Sequence, residues 1–391
     1  MIIPRLATST VQRLAKGFPV VAITGPRQSG KTTLTRQLFP TKPYVSLENP
    51  EQRQFATDDP KRFLAQFADG AVIDEVQRVP SLLSWLQGLV DERQRMGDFV
   101  LTGSQQFDLV RHITQSLAGR VGRVELLPLQ GLELQQANLL GGDVDTLMVT
   151  GHYPALYSRD LLPQDWFSNY VATYVERDVR QLLQIKDLQL FQRFLRLAAA
   201  RSGQLLNLSS LGADVGISSV TAREWIGVLE ASYLVMRLPP YFENFGKRLV
   251  KTPKLYFLDT GLMCWLLGIH SAAILSTHPL RGQVFETMVV VEAYKAALNK
   301  GQQAALYFWR DSAGQEVDLL AQRDGVFESY EIKSGSTFAS DWTDGLKKWQ
   351  KFAGDDSIQP SLVYGGSASY EREGLHVWGW QDIGKIAADT A

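Results

Sequence analysis

Only one cysteine, Cys264, occurs in the 391 residues, so an internal disulfide and a cysteine-based zinc cluster are both excluded. The five histidines, His112, His152, His270, His278 and His376, are scattered without metal-ligand spacing. Neither sign of charge is in surplus: 40 basic against 41 acidic residues leave a net charge of −1, so any surface for nucleic acid must be a local patch. Long apolar runs are also missing. The stretch 261–269 is far too short to span a bilayer, and residues 1–17 show no charged-then-apolar leader. A soluble cytoplasmic protein with no membrane partner is therefore expected. The 45% hydrophobic content is ample for packed cores, and the length suits about two to three domains.

The most informative segment present is Gly25-Pro26-Arg27-Gln28-Ser29-Gly30-Lys31-Thr32-Thr33, which reads G-x-x-x-x-G-K-T between an apolar strand-like stretch (18–23) and an amphipathic helix (33–38). A loop of this pattern turns successive backbone N–H groups around phosphates. The following helix N-terminus favours negative charge, Lys31 reaches the terminal phosphates, and Thr32 ligates magnesium. ATP and Mg2+ are the expected cofactors. Strands follow at 43–47 and 70–75, the latter ending in Asp74 and Glu75, placed as magnesium partner and as the base that orients the attacking water. A fourth strand, 98–102, leads to Ser104, which either senses the γ-phosphate or simply caps the turn. Arg120 and Arg123 either supply an arginine finger, in cis or to a neighbour, or lie solvated at the surface.

These residues resemble AAA-type P-loop ATPases, with 124–126 as fifth strand of a parallel sheet. More narrowly the chain is similar to a prokaryotic family of uncharacterised ATPases. The shared features are G-P-R-Q-x-G-K-T, Leu47-Glu48, the I-D-E-x-Q segment at 73–77, L-T-G-S at 101–104, Gly151-His152-Tyr153-Pro154 and the run 170–179. The resemblance implies an ATPase fused to a C-terminal domain of unknown function with winged-helix and PD-(D/E)xK nuclease-like parts, and a ring-forming homo-oligomer.

Residues 132–185 carry helical periodicity broken at 151–154, which fits a helical connector. From 191 the order is that of a winged helix-turn-helix: a helix to 201, a short one at 208–215, then Ser218 capping 220–231, then two strands. Arg223 on the recognition-type helix, with Lys247, Arg248, Lys251 and Lys254 in the wing at 242–254, form a candidate contact to DNA phosphates. The same features equally suit subunit packing and a solvated hairpin edge.

Near the C-terminus, Asp324-Gly325 marks a two-residue hairpin turn that places Asp318 opposite Glu331 and Glu316 opposite Lys333, all on one face. Facing carboxylates of this kind suit a magnesium-dependent phosphodiesterase, with Lys333 steadying the reacting charge. A bulge would disturb that register. D-x12-E-x-K resembles the PD-(D/E)xK nucleases, and this resemblance makes Glu286, on the predicted helix 282–298, the additional helical acid beside the metal ligands Asp318 and Glu331. The alternative is a degenerate nuclease fold in which these groups form a charge network.

The expected architecture is α/β: an ATPase domain (1–130), a helical connector (131–190), a winged helix (191–275) and a nuclease-like domain (276–391). The function read from it is an ATP-hydrolysing, DNA-associated protein that remodels or processes branched DNA. A nucleotide-switched regulatory or scaffold protein, of toxin-antitoxin or defence type, is the alternative.

Overall fold

A computed structural model describes residues 1–104, 116–175, 187–241, 251–311, 313–354 and 357–386. Its first sheet is wholly parallel, in the order β2-β3-β4-β1-β5, from strands β1 (Val20–Thr24), β2 (Tyr44–Ser46), β3 (Ala71–Asp74), β4 (Phe99–Gly103) and β5 (Val121–Glu125). The three central strands are near-continuous apolar runs because helices cover both faces. One layer packs Leu83 and Leu86 of helix Leu82–Arg93, with Phe63, against Ile73 and Leu101. The other packs Ala7 and Val11 of helix Ala7–Gly17, with Leu34 of helix Lys31–Leu38, against Val21 and Val100. The N-terminal helix thus belongs to this sheet's core.

Helices Gly131–Gln136, Val144–Thr150, Ala155–Ser158 and Pro163–Tyr170 follow, as the periodicity of the connector predicts. Their break is specific. Gly151 adopts φ 72°, and a Cβ there would lie 2.5 Å from Asp259 Oδ1, so only glycine fits. Asp259 Oδ2 accepts the His152 backbone N–H at 2.7 Å, fixing where the chain turns back.

Helices Leu188–Ala199, Leu208–Val215 and Ser219–Ala231 then precede a three-stranded sheet, β6-β8-β7, from β6 (Gln204–Leu205), β7 (Val235–Leu238) and β8 (Lys254–Phe257). Asp187, Asn207 and Ser218 cap these helices by accepting backbone N–H groups. The order along the chain is helix, strand, helix, helix, strand, strand.

Helix Arg281–Asn299 leads into a mixed sheet, β13-β14-β12-β11-β10-β9, of β9 (Leu306–Arg310), β10 (Glu316–Arg323), β11 (Val326–Lys333), β12 (Ser361–Tyr364), β13 (Tyr370–Arg372) and β14 (Leu375–Gly379). Its β10–β11 hairpin turns on Asp324 and Gly325, at φ 48° and 89°, the signature of a type I′ turn. The predicted register holds through Leu319↔Tyr330, and the β9 side shifts between Val317 and Leu320. Trp309 and Trp349 sit in the core of this sheet and Trp380 in the large cluster beside it.

Candidate active site

The loop 25–30 leaves the C-terminal end of β1 and opens helix Lys31–Leu38. Close packing dictates its glycines: a Cβ on Gly25 would sit 2.1 Å from Leu126 O, and Gly30 takes φ 96° at the helix N-cap. Lys31 is buried and donates from Nζ to Gly25 O (2.9 Å) and Pro26 O (2.7 Å). Burial lowers its pKa to about 8, against the pull of Glu75 and Asp74. Ser29 Oγ is buried without a hydrogen-bond partner. An ammonium satisfied only by its own loop's carbonyls, an orphan hydroxyl and a helix N-terminus suit a phosphate chain with its magnesium.

Asp74 ends β3 and accepts hydrogen bonds from the hydroxyls of Thr102 and Tyr44. Burial and that carboxylate push the Tyr44 phenol up to about 12, and Thr32 is hydrogen-bonded to the same phenol. Thr32, Tyr44 and Asp74 therefore form one polar chain beside Lys31. Glu75 follows in a left-handed conformation, φ 56°, a costly state for a non-glycine residue. Its carboxylate is held in place: Oε2 accepts from Ser104 Oγ at 3.0 Å and from the Gln77 side-chain amide. This explains why I-D-E-x-Q and L-T-G-S belong together. Ser104 positions Glu75, a role that sequence spacing does not reveal.

A cavity of about 510 Å³ joins these groups. Its lining includes Arg27, Lys31, Thr32, Thr33, Asp74 and Glu75, and its far wall comes from beyond the first sheet: Pro154, Ala155, Ser158, Arg159 and Tyr174. Arg27 stands 5.1 Å over the Tyr174 ring and 3.4 Å from Glu48. Arg159, an exposed cation of that wall, had no motif to announce it. Arg5 was equally unannounced, because nothing in its local sequence relates it to the loop. It donates to Ser29 O (2.6 Å), Leu127 O (2.7 Å) and Glu133 (3.0 Å), tying the N-terminal segment beneath the phosphate loop.

Arg120 corrects an expectation. Its carbonyl accepts from Val20 N at the start of β1, whereas the loop leaves the other end, so the residue lies across the sheet from Lys31. Its guanidinium makes a two-pronged pair with Asp91, one contact at 2.8 Å. It cannot reach the cavity of its own chain. Arg123, within β5, faces Glu125 at 3.6 Å. We expect Arg120→Ala to leave the turnover of the isolated chain unchanged, measured as phosphate release under saturating ATP; a loss that persists at dilutions where copies do not meet would refute the placement.

Comparison with known proteins identifies the family. Residues 17–135 match the AAA domain family, and 141–273 and 281–383 match two domains of unknown function, DUF8612 and DUF4143. Uncharacterized proteins of Mycobacterium tuberculosis and Mycobacterium bovis are each 34% identical over 337 residues, covering 85% of this chain and 74% of the relative. The chain belongs to this family of AAA-domain P-loop ATPases. Among solved structures, a Walker-type ATPase of Pyrococcus abyssi aligns at 13% identity and a TM-score of 0.41, covering 68% of this chain and 96% of the other.

The AAA-domain protein has a second charged site. The paired register of the hairpin stops at Leu319↔Tyr330, short of Asp318 and Glu331; beyond it Lys333 pairs with Glu331 and lies 4.0 Å from Asp318. Asp318 Oδ2 also accepts the Ile332 backbone N–H at 2.8 Å. Glu286 joins them from helix Arg281–Asn299. Glu316 does not face Lys333; it pairs with Lys254 and, at 3.4 Å, with Arg310.

Lys254 is the larger correction. Instead of lining an exposed wing it is 4% exposed, and its Nζ contacts Glu316, Glu286 at 2.9 Å and Asp318 at 3.9 Å. Burial opposes its charge, but the surrounding Tyr256, Glu286, Asp318 and Glu316 hold the ammonium well above its ordinary range. Burial, with Asp318 beside it, raises Glu331 to about 8. A magnesium ion among Glu286, Asp318 and Glu331 does not fit this arrangement, because the Lys254 ammonium already bridges Glu286 and Asp318 and the Lys333 ammonium holds Glu331. Among the described residues no group of three or more His, Cys, Asp or Glu is placed to hold a metal ion. Of the other candidate DNA contacts, Arg223 and Lys251 are exposed, while Lys247 and Arg248 lie outside the described residues. No helix among those residues is long and apolar enough to cross a membrane.

Proposed function

We propose that this chain is a cytoplasmic, magnesium-dependent ATPase whose nucleotide state sets the grip of its winged helix on DNA. The supporting observation is the composition of the cavity. Hydrolytic groups of the AAA domain form one wall, and Pro154, Ala155, Ser158, Arg159 and Tyr174 form the other. A γ-phosphate held there contacts both walls; its release lets them separate.

Thr32 and Asp74 would hold the magnesium, which would neutralise the phosphate charge. Lys31 exchanges its loop carbonyls for β- and γ-phosphate oxygens. Glu75 accepts the proton of the attacking water while Gln77 and Ser104 fix its direction. The second wall carries the change onward: the backbone of His152, two residues before Pro154, is held by Asp259, and Asp259 caps the helix that follows β8. Assembly into a ring of identical copies would let a neighbour supply the arginine that Arg120 cannot bring in cis.

The DNA assignment is tested by anisotropy with labelled duplex and four-way junction. Glu75→Gln with ATP is compared with wild type plus ADP at two salt concentrations. Affinity that differs with nucleotide, falls with salt and weakens in Arg223→Ala and Lys251→Ala supports the reading. Equal affinity in both states sinks the coupling. No binding in either leaves a nucleotide-switched scaffold, which the lysine-filled carboxylate cluster favours.

A further inference from the structure

We infer that Lys254 is a tethered cation that fills the metal position of the C-terminal carboxylate cluster, so that this sheet is charge-balanced without a divalent ion. The inference concerns a site separate from the ATPase centre. Four acids converge from three elements: Glu286 from helix Arg281–Asn299, Glu316 and Asp318 from β10, Glu331 from β11. Such a group cannot stay ionised and buried without compensation. Lys254 enters from a fourth element, β8, and reaches Glu286, Glu316 and Asp318 at once, while Lys333 pairs with Glu331 and Arg310 with Glu316 at the edge of the cluster.

The position is prepared from several sides. The Tyr256 hydroxyl donates to Glu286 Oε1 at 2.6 Å, the oxygen that Lys254 also contacts. The Phe308 ring lies 5.5 Å from the ammonium. The backbones of the two sheets touch nearby, where Tyr241 N donates to Phe308 O and Phe308 N donates to Pro239 O. The ammonium therefore also pins the winged-helix sheet to the C-terminal sheet. On the far side Glu331 keeps one oxygen, Oε2, buried without a partner.

Removing the ammonium should convert the cluster into a site for a hard divalent cation, since carboxylate oxygens are the ligands such ions prefer. The experiment is Mn2+ binding, followed by electron paramagnetic resonance on the full chain without nucleotide. Lys254→Met, which keeps the stem and loses the charge, is expected to gain about one Mn2+ per chain. Its thermal midpoint should rise with Mn2+, and both gains should vanish in Lys254→Met with Asp318→Asn. A folded Lys254→Met protein that gains no ion overturns the inference. Should that variant not fold, wild type is compared with Asp318→Asn alone: equal Mn2+ uptake is expected, and one more ion in wild type overturns the inference. The comparison cancels any ion held at Asp74.

Discussion

Glu75→Gln should abolish most ATP turnover, lowering kcat by about 10²- to 10⁴-fold, while nucleotide binding survives. In the proposed mechanism this carboxylate, rather than Asp74 or Glu48 of the same cavity, takes the water's proton, and an amide of the same shape cannot. The shape itself is retained. Glu75 Oε2 now accepts from Ser104 and Gln77, and a glutamine oxygen can accept from the same two donors. The left-handed backbone at this position needs no change either. Single-turnover phosphate release, set beside ATP affinity from calorimetry, separates the two quantities. Turnover near the wild-type rate would remove Glu75 as the base and leave its strained conformation without a function.

Lys31→Ala should weaken ATP affinity by about 100-fold, from roughly 3 kcal/mol for contacts to a desolvated charge. The folded protein should tolerate the change. Lys31 has a depressed pKa in the native state, about 8, so below that pH the buried ammonium is held against its own desolvation. Removing it relieves that cost, and a thermal midpoint no lower than wild type distinguishes lost binding from lost structure. The same shift predicts a pH dependence. Phosphate is bound by the ammonium, so wild-type affinity should be level below pH 8. Above it the free protein loses the charge, and affinity should weaken by up to about tenfold per pH unit. Affinity unchanged between pH 7 and 9.5 would show that Lys31 stays charged throughout.

Features set by neighbours in sequence were legible without the fold. The phosphate loop, its strand and helix, the acids ending β3 and the Asp324-Gly325 turn each depend on a few adjacent residues whose backbone demands are local. Helix 208–215 was legible for the same reason: Asn207 caps its start, and Gly216, at φ 93°, ends it.

Other roles depended on partners far away in the chain. Basic residues clustered around 247–254 read as one patch, but alternation along β8 and the packing of two sheets turned Lys254 inward, to acids more than thirty residues away. Arg120 lay near the right strand in sequence, and the parallel direction of β1 and β5 put it at the wrong end. Ser104 and Gln77 were visible as motif letters, and only the adjacency of β3 and β4 made them partners of Glu75.

Contiguous residues alone specify a phosphate-binding loop and an acidic strand end, because that chemistry needs only near neighbours in the chain. Tertiary structure decided which charges serve it. Charges act over a few ångströms and pair by burial and direction, so their partners exist only once separate elements have packed.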